Sequence, residues 1–274
     1  MLPSLYRCFV QETSYFFQKH WKLNGTDVII KDNEWRDPVK KRIWELDALR
    51  GLNVLGMIGF HFIYDITYLF PLLRWNPPVW YDLLARLCAV SFVLISGICA
   101  TLGKHSIRRG LTVLGCGMII SAVTVALALT GLCDESIIIY FGILHCLGCC
   151  MLLWPLFRKL PGWALLLVGT ALYLLGKYFD TLTVDTFWLV PLGLLPRSFA
   201  SSDYFPLIQH FGIFLGGAGL GRYLYKHKVS LLPKVKQIIP IRFLSFCGRK
   251  SLLIYVLHQP VLALIAAGLY AILS

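Results

Sequence analysis

Charge is what this chain has little of. Only 15 % of its 274 residues are charged and 57 % are hydrophobic, a balance that excludes an ordinary soluble domain. Acidic residues are scarcest, 14 against 26 Lys and Arg. The resulting +12 would suggest a nucleic-acid partner if the cations formed one patch, but they are dispersed between apolar runs and no nucleic acid is expected. There is no internal repeat and no low-complexity tract. The first forty residues lack the basic-then-apolar order, ending in small residues, of a cleavable signal. The nine cysteines supply no even set on one side of a membrane, which argues against a disulfide framework. Cys88, Cys99, Cys116, Cys146, Cys149 and Cys150 instead fall inside apolar runs, where a thiol acts as a small hydrophobe. His145 with Cys146, Cys149 and Cys150 reads as core packing, because adjacent helix positions point apart; no metal is expected.

What is present is a succession of long apolar runs with few charges. They predict an all-α, polytopic integral membrane helix bundle of about seven transmembrane helices, at 46–70, 79–101, 109–131, 136–154, 161–179, 204–222 and 250–272. The apolar stretch 185–196 is too short to span and is expected to lie at the interface or re-enter. Residues 42–274 form the membrane domain. Residues 1–41 read as a cytoplasmic extension, either an amphipathic segment built on Leu5, Phe9, Phe16, Phe17 and Trp21 or a disordered one. Cations crowd the chain before span one and the connections two–three, four–five and six–seven. The alternate connections hold only Arg74 and Arg197 beside Asp134, Glu135, Asp180, Asp185 and Asp203. This positive-inside pattern predicts a multi-pass cell-membrane protein with a cytoplasmic N-terminus and an outward C-terminus.

Ionisable groups at membrane depth are costly and normally face a bundle interior that carries substrate or protons. Span one places Asp47, Arg50, His61 and Asp65 on one face. At about 1.5 Å per residue, His61 falls in the outer half, with His145 of span four, Arg86 of span two, and Asp203, Gln209 and His210 at the start of span six. A second, inner layer holds Arg50, Ser96 and, at the opening of span seven, Tyr255 and His258. A guanidinium with nearby donors can hold a phosphate bidentately there.

Four motifs carry a resemblance: Leu46-Asp47-Ala-Leu-Arg50-Gly51, Phe141-Gly-Ile-Leu-His145, Ser202-Asp203-Tyr-Phe-Pro206 and Leu257-His258-Gln-Pro260. With Arg50-x10-His61, they make residues 42 to 272 resemble the bacterial DUF1624 proteins, related to the catalytic domain of heparan-alpha-glucosaminide N-acetyltransferase. The resemblance implies acetyl-CoA bound from the cytoplasm and an acetyl group passed to an acceptor on the far side. It implies that Arg50 holds the CoA phosphates or shapes the donor channel, with Ser96, Tyr255 and His258 beside it. His61 would be the base or the transient acetyl carrier, Asp65 would orient its ring, and His145 and Arg86 would stabilise the oxyanion. Asp203 and His210, with Arg86, would face the acceptor.

The lysosomal branch of the family has asparagine where His61 stands and a working histidine in the loop that follows. This chain has no histidine between His61 and His105, so the bacterial acyltransferase pattern fits better. The short outer connections point to a small or lipid-linked saccharide of the bacterial envelope, O- or N-acetylated; a homo-oligomer is left open. The rival expectation is a proton-coupled small-molecule transporter using His61, Asp65 and His145 as a relay.

Overall fold

The computed structural model describes residues 42–131, 134–235 and 237–273; the amphipathic reading of residues 1–41 lies outside them. Among the described residues the chain forms eight α-helices: α1 Trp44–Tyr64, α2 Val79–Leu102, α3 Ser106–Leu129, α4 Ile143–Phe157, α5 Gly162–Phe179, α6 Leu207–Leu224, α7 Ile239–Arg249 and α8 Ser251–Leu273. No strand accompanies them; the β contacts are two isolated bridges, Phe141 with Tyr204 and Thr183 with Leu195. Helices α2, α5 and α6 open directly after Pro78, Pro161 and Pro206, whose extended backbones end the preceding loops. A π-helical turn, Asp65–Leu69, prolongs α1.

Five helices are long and apolar enough to cross a membrane: α1 with its π turn, α2, α3, α5 and α8. The fourth and sixth expected spans are the two that fall outside this set. Helix α4 has 15 residues, a rise of about 22 Å against a hydrocarbon core of roughly 30 Å. Helix α6 has 18 residues, but Gln209, His210, Arg222 and repeated glycines dilute its apolar content. The segment 136–142, expected to be helical, is instead a short 3₁₀ turn at Glu135–Ile137 followed by extended chain.

Large apolar side chains cover the outside. Leu111, Met118, Ile119 and Val123 of α3, and Leu253, Leu257, Val261 and Leu264 of α8, are all exposed, as a lipid-facing surface requires. The protein core lies where α2, α4, α5 and α6 meet, around Val93, Cys146, Cys150, Leu165, Phe214, Leu215 and Ala218. Small residues bring the helices this close, as in membrane bundles generally. A side chain added at Gly51 would strike the Leu244 carbonyl, and one at Gly248 the Asp47 carbonyl, so α1 and α7 cross with backbones touching. Gly97 and Gly217 do the same between α2 and α6.

These contacts also set direction. Gly51 meets Leu244 while Gly248 meets Asp47, so α7 runs antiparallel to α1, and α8 then returns alongside α1. Gly117 of α3 lies against His145 while Gly110 lies against Met151, so α3 and α4 are antiparallel. Helix α4 therefore begins alongside the middle of α3, and the extended chain before it descends between helices.

Candidate active site

Non-helical backbone between membrane helices survives only if protein groups satisfy it. Here α3 and the connection before α6 do so. Ser121 donates to the Ile139 carbonyl, and the Ile139 N–H donates to Thr124 Oγ1 at 3.2 Å. Ser201 and Ser202 donate to the carbonyls of Ile138 (2.9 Å) and Ile137 (2.7 Å). The Phe205 N–H donates to the Phe141 carbonyl at 3.0 Å, closing the Phe141–Tyr204 bridge. The starts of α4 and α6 are thereby tied to one another.

Asp203 sits at that junction. Its Oδ2 accepts the Ile143 N–H, the first amide of α4, at 3.1 Å, and the Tyr255 hydroxyl of α8 at 3.3 Å. A carboxylate at a helix N-terminus answers both the unpaired amides and the positive end of the dipole. Burial pushes the Asp203 carboxyl up to about 6, against the lowering effect of those two donors.

From Tyr255 the contacts continue to the imidazoles. The ring of His258, three residues along α8, lies tilted 5.3 Å from that of Tyr255 and donates Nδ1–H to the Tyr255 carbonyl at 2.5 Å. That bond leaves Nε2 as an unprotonated lone pair. The Nε2 atom is buried and has no protein partner. The His258 ring lies 5.0 Å from the ring of His61, edge to face. On the next residue, Gln259 donates both to Oδ1 (2.9 Å) and Oδ2 (3.2 Å) of the fully buried Asp65. Gln259 Oε1 and Thr67 Oγ1, in the π turn beside Asp65, are likewise buried and unpartnered. Around the contacts of α1 and its π turn with α8 there are thus a histidine lone pair, an amide oxygen and a hydroxyl without protein partners, beside a carboxylate held by one amide; such atoms can be satisfied by N–H or O–H donors.

The structure brings some expected residues together and separates others. His61, Tyr255, His258 and Asp203 join in one chain of contacts that links three of the four motifs to the helix of the first. Tyr255 and His258, expected beside Arg50, stand instead against His61 and Asp203. Asp65 is held by Gln259 and not by the His61 ring. His145 is enclosed in a local network: its Nδ1 accepts the Gly142 N–H at 3.2 Å and its Nε2 faces Ser121 Oγ at 3.3 Å. His210 donates Nδ1–H to the Pro206 carbonyl at 2.8 Å, within the first turn of its own helix. The buried Ser96 hydroxyl donates to the Phe92 carbonyl at 2.8 Å. Arg86 makes no hydrogen bond or ion pair among the described residues. Arg50 is half-buried near Asp47 and Cys99, about 16 Å along α1 from His61. Gln259 stands in a motif but shows its task only through Asp65, and Ser121 lies in no motif, although a hydroxyl in mid-span is itself a signal.

The fold is that of a helical membrane protein, with the imidazoles of His61 and His258 in contact between α1 and α8. Comparison with known families narrows this. The model of the family described as heparan-alpha-glucosaminide N-acetyltransferase, catalytic, matches residues 42–260, and the chain belongs to that family of membrane acetyltransferases. No curated protein and no solved structure matches the chain.

Proposed function

We propose that this protein moves an acetyl group from acetyl-CoA to an amine or hydroxyl of a saccharide, at a centre formed by His61 and His258. The observation that carries the reading is the His258 Nε2: a buried lone pair, its tautomer held by the Tyr255 carbonyl, beside a second imidazole. An acceptor N–H or O–H placed on that lone pair would lose its proton to the ring as its heteroatom attacks the thioester carbonyl. The C–S bond then breaks, and the departing CoA thiolate takes up the proton. His61 supplies the second imidazole, either as the base or as the atom that carries acetyl between donor and acceptor. Asp65, Gln259 and Thr67 would grip the acceptor's other donors. In this reading Asp203 and Tyr255 position His258, and His145 and His210 hold the helix starts beneath it.

Sidedness follows from charge. Lys104, Arg108, Arg109, Arg158, Lys159, Arg222, Lys226 and Lys228 flank the ends of α2, α3, α4 and α6 that lie level with the start of α1. This reading makes that end cytoplasmic, the side of acetyl-CoA supply, and the opposite end the side of the acceptor. The meeting of the α4 and α6 starts at Phe141 and Tyr204 is the one observation favouring a proton-coupled transporter, whose sites use such interrupted helices. Asp203 already occupies the α4 N-terminus, and the family is one of acetyltransferases, so transfer is the better account.

The experiment is release of free CoA thiol by the full-length protein in nanodiscs, with acetyl-CoA and a panel of amino sugars, neutral saccharides and glycolipids. Acceptor-dependent release that disappears in His61→Ala and His258→Ala supports the reading. Folded protein that releases no thiol with any acceptor, yet moves protons with a solute across vesicles, overturns it in favour of transport.

A further inference from the structure

A cavity of about 410 Å³ opens at the end of the bundle where α1 begins, between the last turns of α2, α4 and α6. That volume lies in the range of small-molecule sites. Its apolar floor is Ala100 and Trp154, and its wall carries Arg158, Arg222, Lys226 and Lys228 with no acidic side chain among the lining residues. The Arg109 guanidinium lies against Gly103 at the rim.

Cations are expected where helices end, because free carbonyls there attract them. Arg222 meets that need with one nitrogen, Nη2, which donates to the Arg158 carbonyl. Its Nε is a buried donor with no acceptor. Helix-end compensation leaves that atom unexplained. Lys228 is a second irregularity. It adopts φ 55°, the left-handed conformation usually left to glycine, and its N–H donates to the Tyr225 carbonyl at 2.9 Å. Tyr225 is neutral and engaged with Glu45: burial, with that carboxylate beside it, pushes its hydroxyl up to about 12. Glu45 itself is occupied by Ser230 Oγ (2.8 Å) and the Leu231 N–H (2.7 Å), which pins the basic loop after α6 to the start of α1.

We infer that this cavity binds the phosphate groups of a phosphorylated ligand, with Arg158, Arg222, Lys226 and Lys228 as its cationic wall. Two sources carry that chemistry. One is the nucleotide end of the CoA donor, in which case the inference extends the acetyltransferase reading and moves the phosphates away from Arg50. The other is the headgroup of an anionic lipid.

The test is calorimetry on the full-length protein in phosphatidylcholine nanodiscs, with adenosine 3′,5′-bisphosphate, which bears the CoA phosphates but no acyl group. A second arm uses short-chain phosphatidic acid, and pantetheine, which has no phosphate, is the control. Binding should weaken about fivefold for each charge removed in Lys226→Gln and Lys228→Gln, both exposed side chains whose loss leaves the helices intact. It should weaken further as salt rises from about 0.1 to about 1 M, which shortens the screening length from roughly 10 to roughly 3 Å. Arg50→Gln should leave it unchanged. Bisphosphate binding identifies the donor as the source, and phosphatidic acid binding identifies lipid. Binding of neither, or an affinity indifferent to both lysines but lost with Arg50, overturns the site. Phosphate binding without any acetyl transfer would leave the cavity standing and remove the acetyltransferase reading.

Discussion

If His258 takes the acceptor proton, replacing it should cost what a positioned base contributes. In His258→Ala the Nε2 lone pair disappears, while the partner of its Nδ1, a main-chain carbonyl, stays in place. General-base assistance is worth about 10²- to 10⁴-fold, so turnover should fall by that factor, about 3–5 kcal/mol of barrier. Acetyl-CoA binding should persist. Tyr255→Phe separates the base from its support: the carbonyl that sets the His258 tautomer remains, and only the 3.3 Å hydroxyl bond to Asp203 is lost. That change should cost about tenfold at most. Because His61 and His258 sit 5.0 Å apart and act on one proton, the double alanine variant should be no slower than the worse single variant. The assay is acceptor-dependent thiol release from acetyl-CoA under saturating conditions, with donor affinity measured separately. A His258→Ala enzyme within about threefold of the parent, beside an inactive His61→Ala, would refute the assignment and leave His61 as the sole base.

Other expectations test the frame around that centre. Gly248→Val puts a branched side chain against the Asp47 backbone, which cannot yield without parting α1 from α7; thermal unfolding in detergent should show a loss of about 1–3 kcal/mol or more. Gly59→Ala, where an added methyl meets nothing within 4 Å, should be neutral or stabilising in the same assay. Gln259→Leu leaves the buried Asp65 carboxylate without its donor and should cost about 1–3 kcal/mol, whereas Asp65→Asn with Gln259 intact should cost less. For Asp203, a folded-state value near 6 lies above the ordinary carboxylate range, so its contribution favours the folded state at low pH and is lost as pH rises from about 4 through 6. Unfolding temperatures measured from pH 4 to 7 should carry that component in the parent and lack it in Asp203→Asn.

The layer argument from sequence shows where one-dimensional reading stops. Counting 1.5 Å per residue gives the position of His61 along its own helix, because rise and rotation are properties of a single helix. The same count assigned Tyr255 and His258 to the inner layer because it measured them from an assumed entry of span seven. In the structure α7 runs back to the start of α1, and α8, which begins there, nonetheless brings the His258 ring to 5.0 Å from His61 rather than to Arg50. How α8 passes α1 depends on helix packing, including the touching backbones at Gly51 and Gly248; these contacts join residues about 200 positions apart, and periodicity carries no record of them. His145 and His210 show the same limit in another form. Both were expected in the outer layer, yet each is engaged by a main-chain group three or four residues away, at Gly142 and Pro206. A polar residue near a helix start reads identically whether it faces a ligand or its own backbone.

By itself, the sequence determined the class of this protein: scarce charge and long apolar runs require a membrane, and the lipid-facing helices α1, α2, α3, α5 and α8 follow from hydropathy alone. Its motifs also carried the family. Only the tertiary structure decided that α4 begins beside the middle of α3, that Asp203 caps it, and that Tyr255, His258 and Gln259 complete the centre of His61 and Asp65. Transfer into lipid is additive along the chain and can be read residue by residue. The pairing of buried polar atoms depends on which helices touch, and at what depth, which is a property of the assembled bundle.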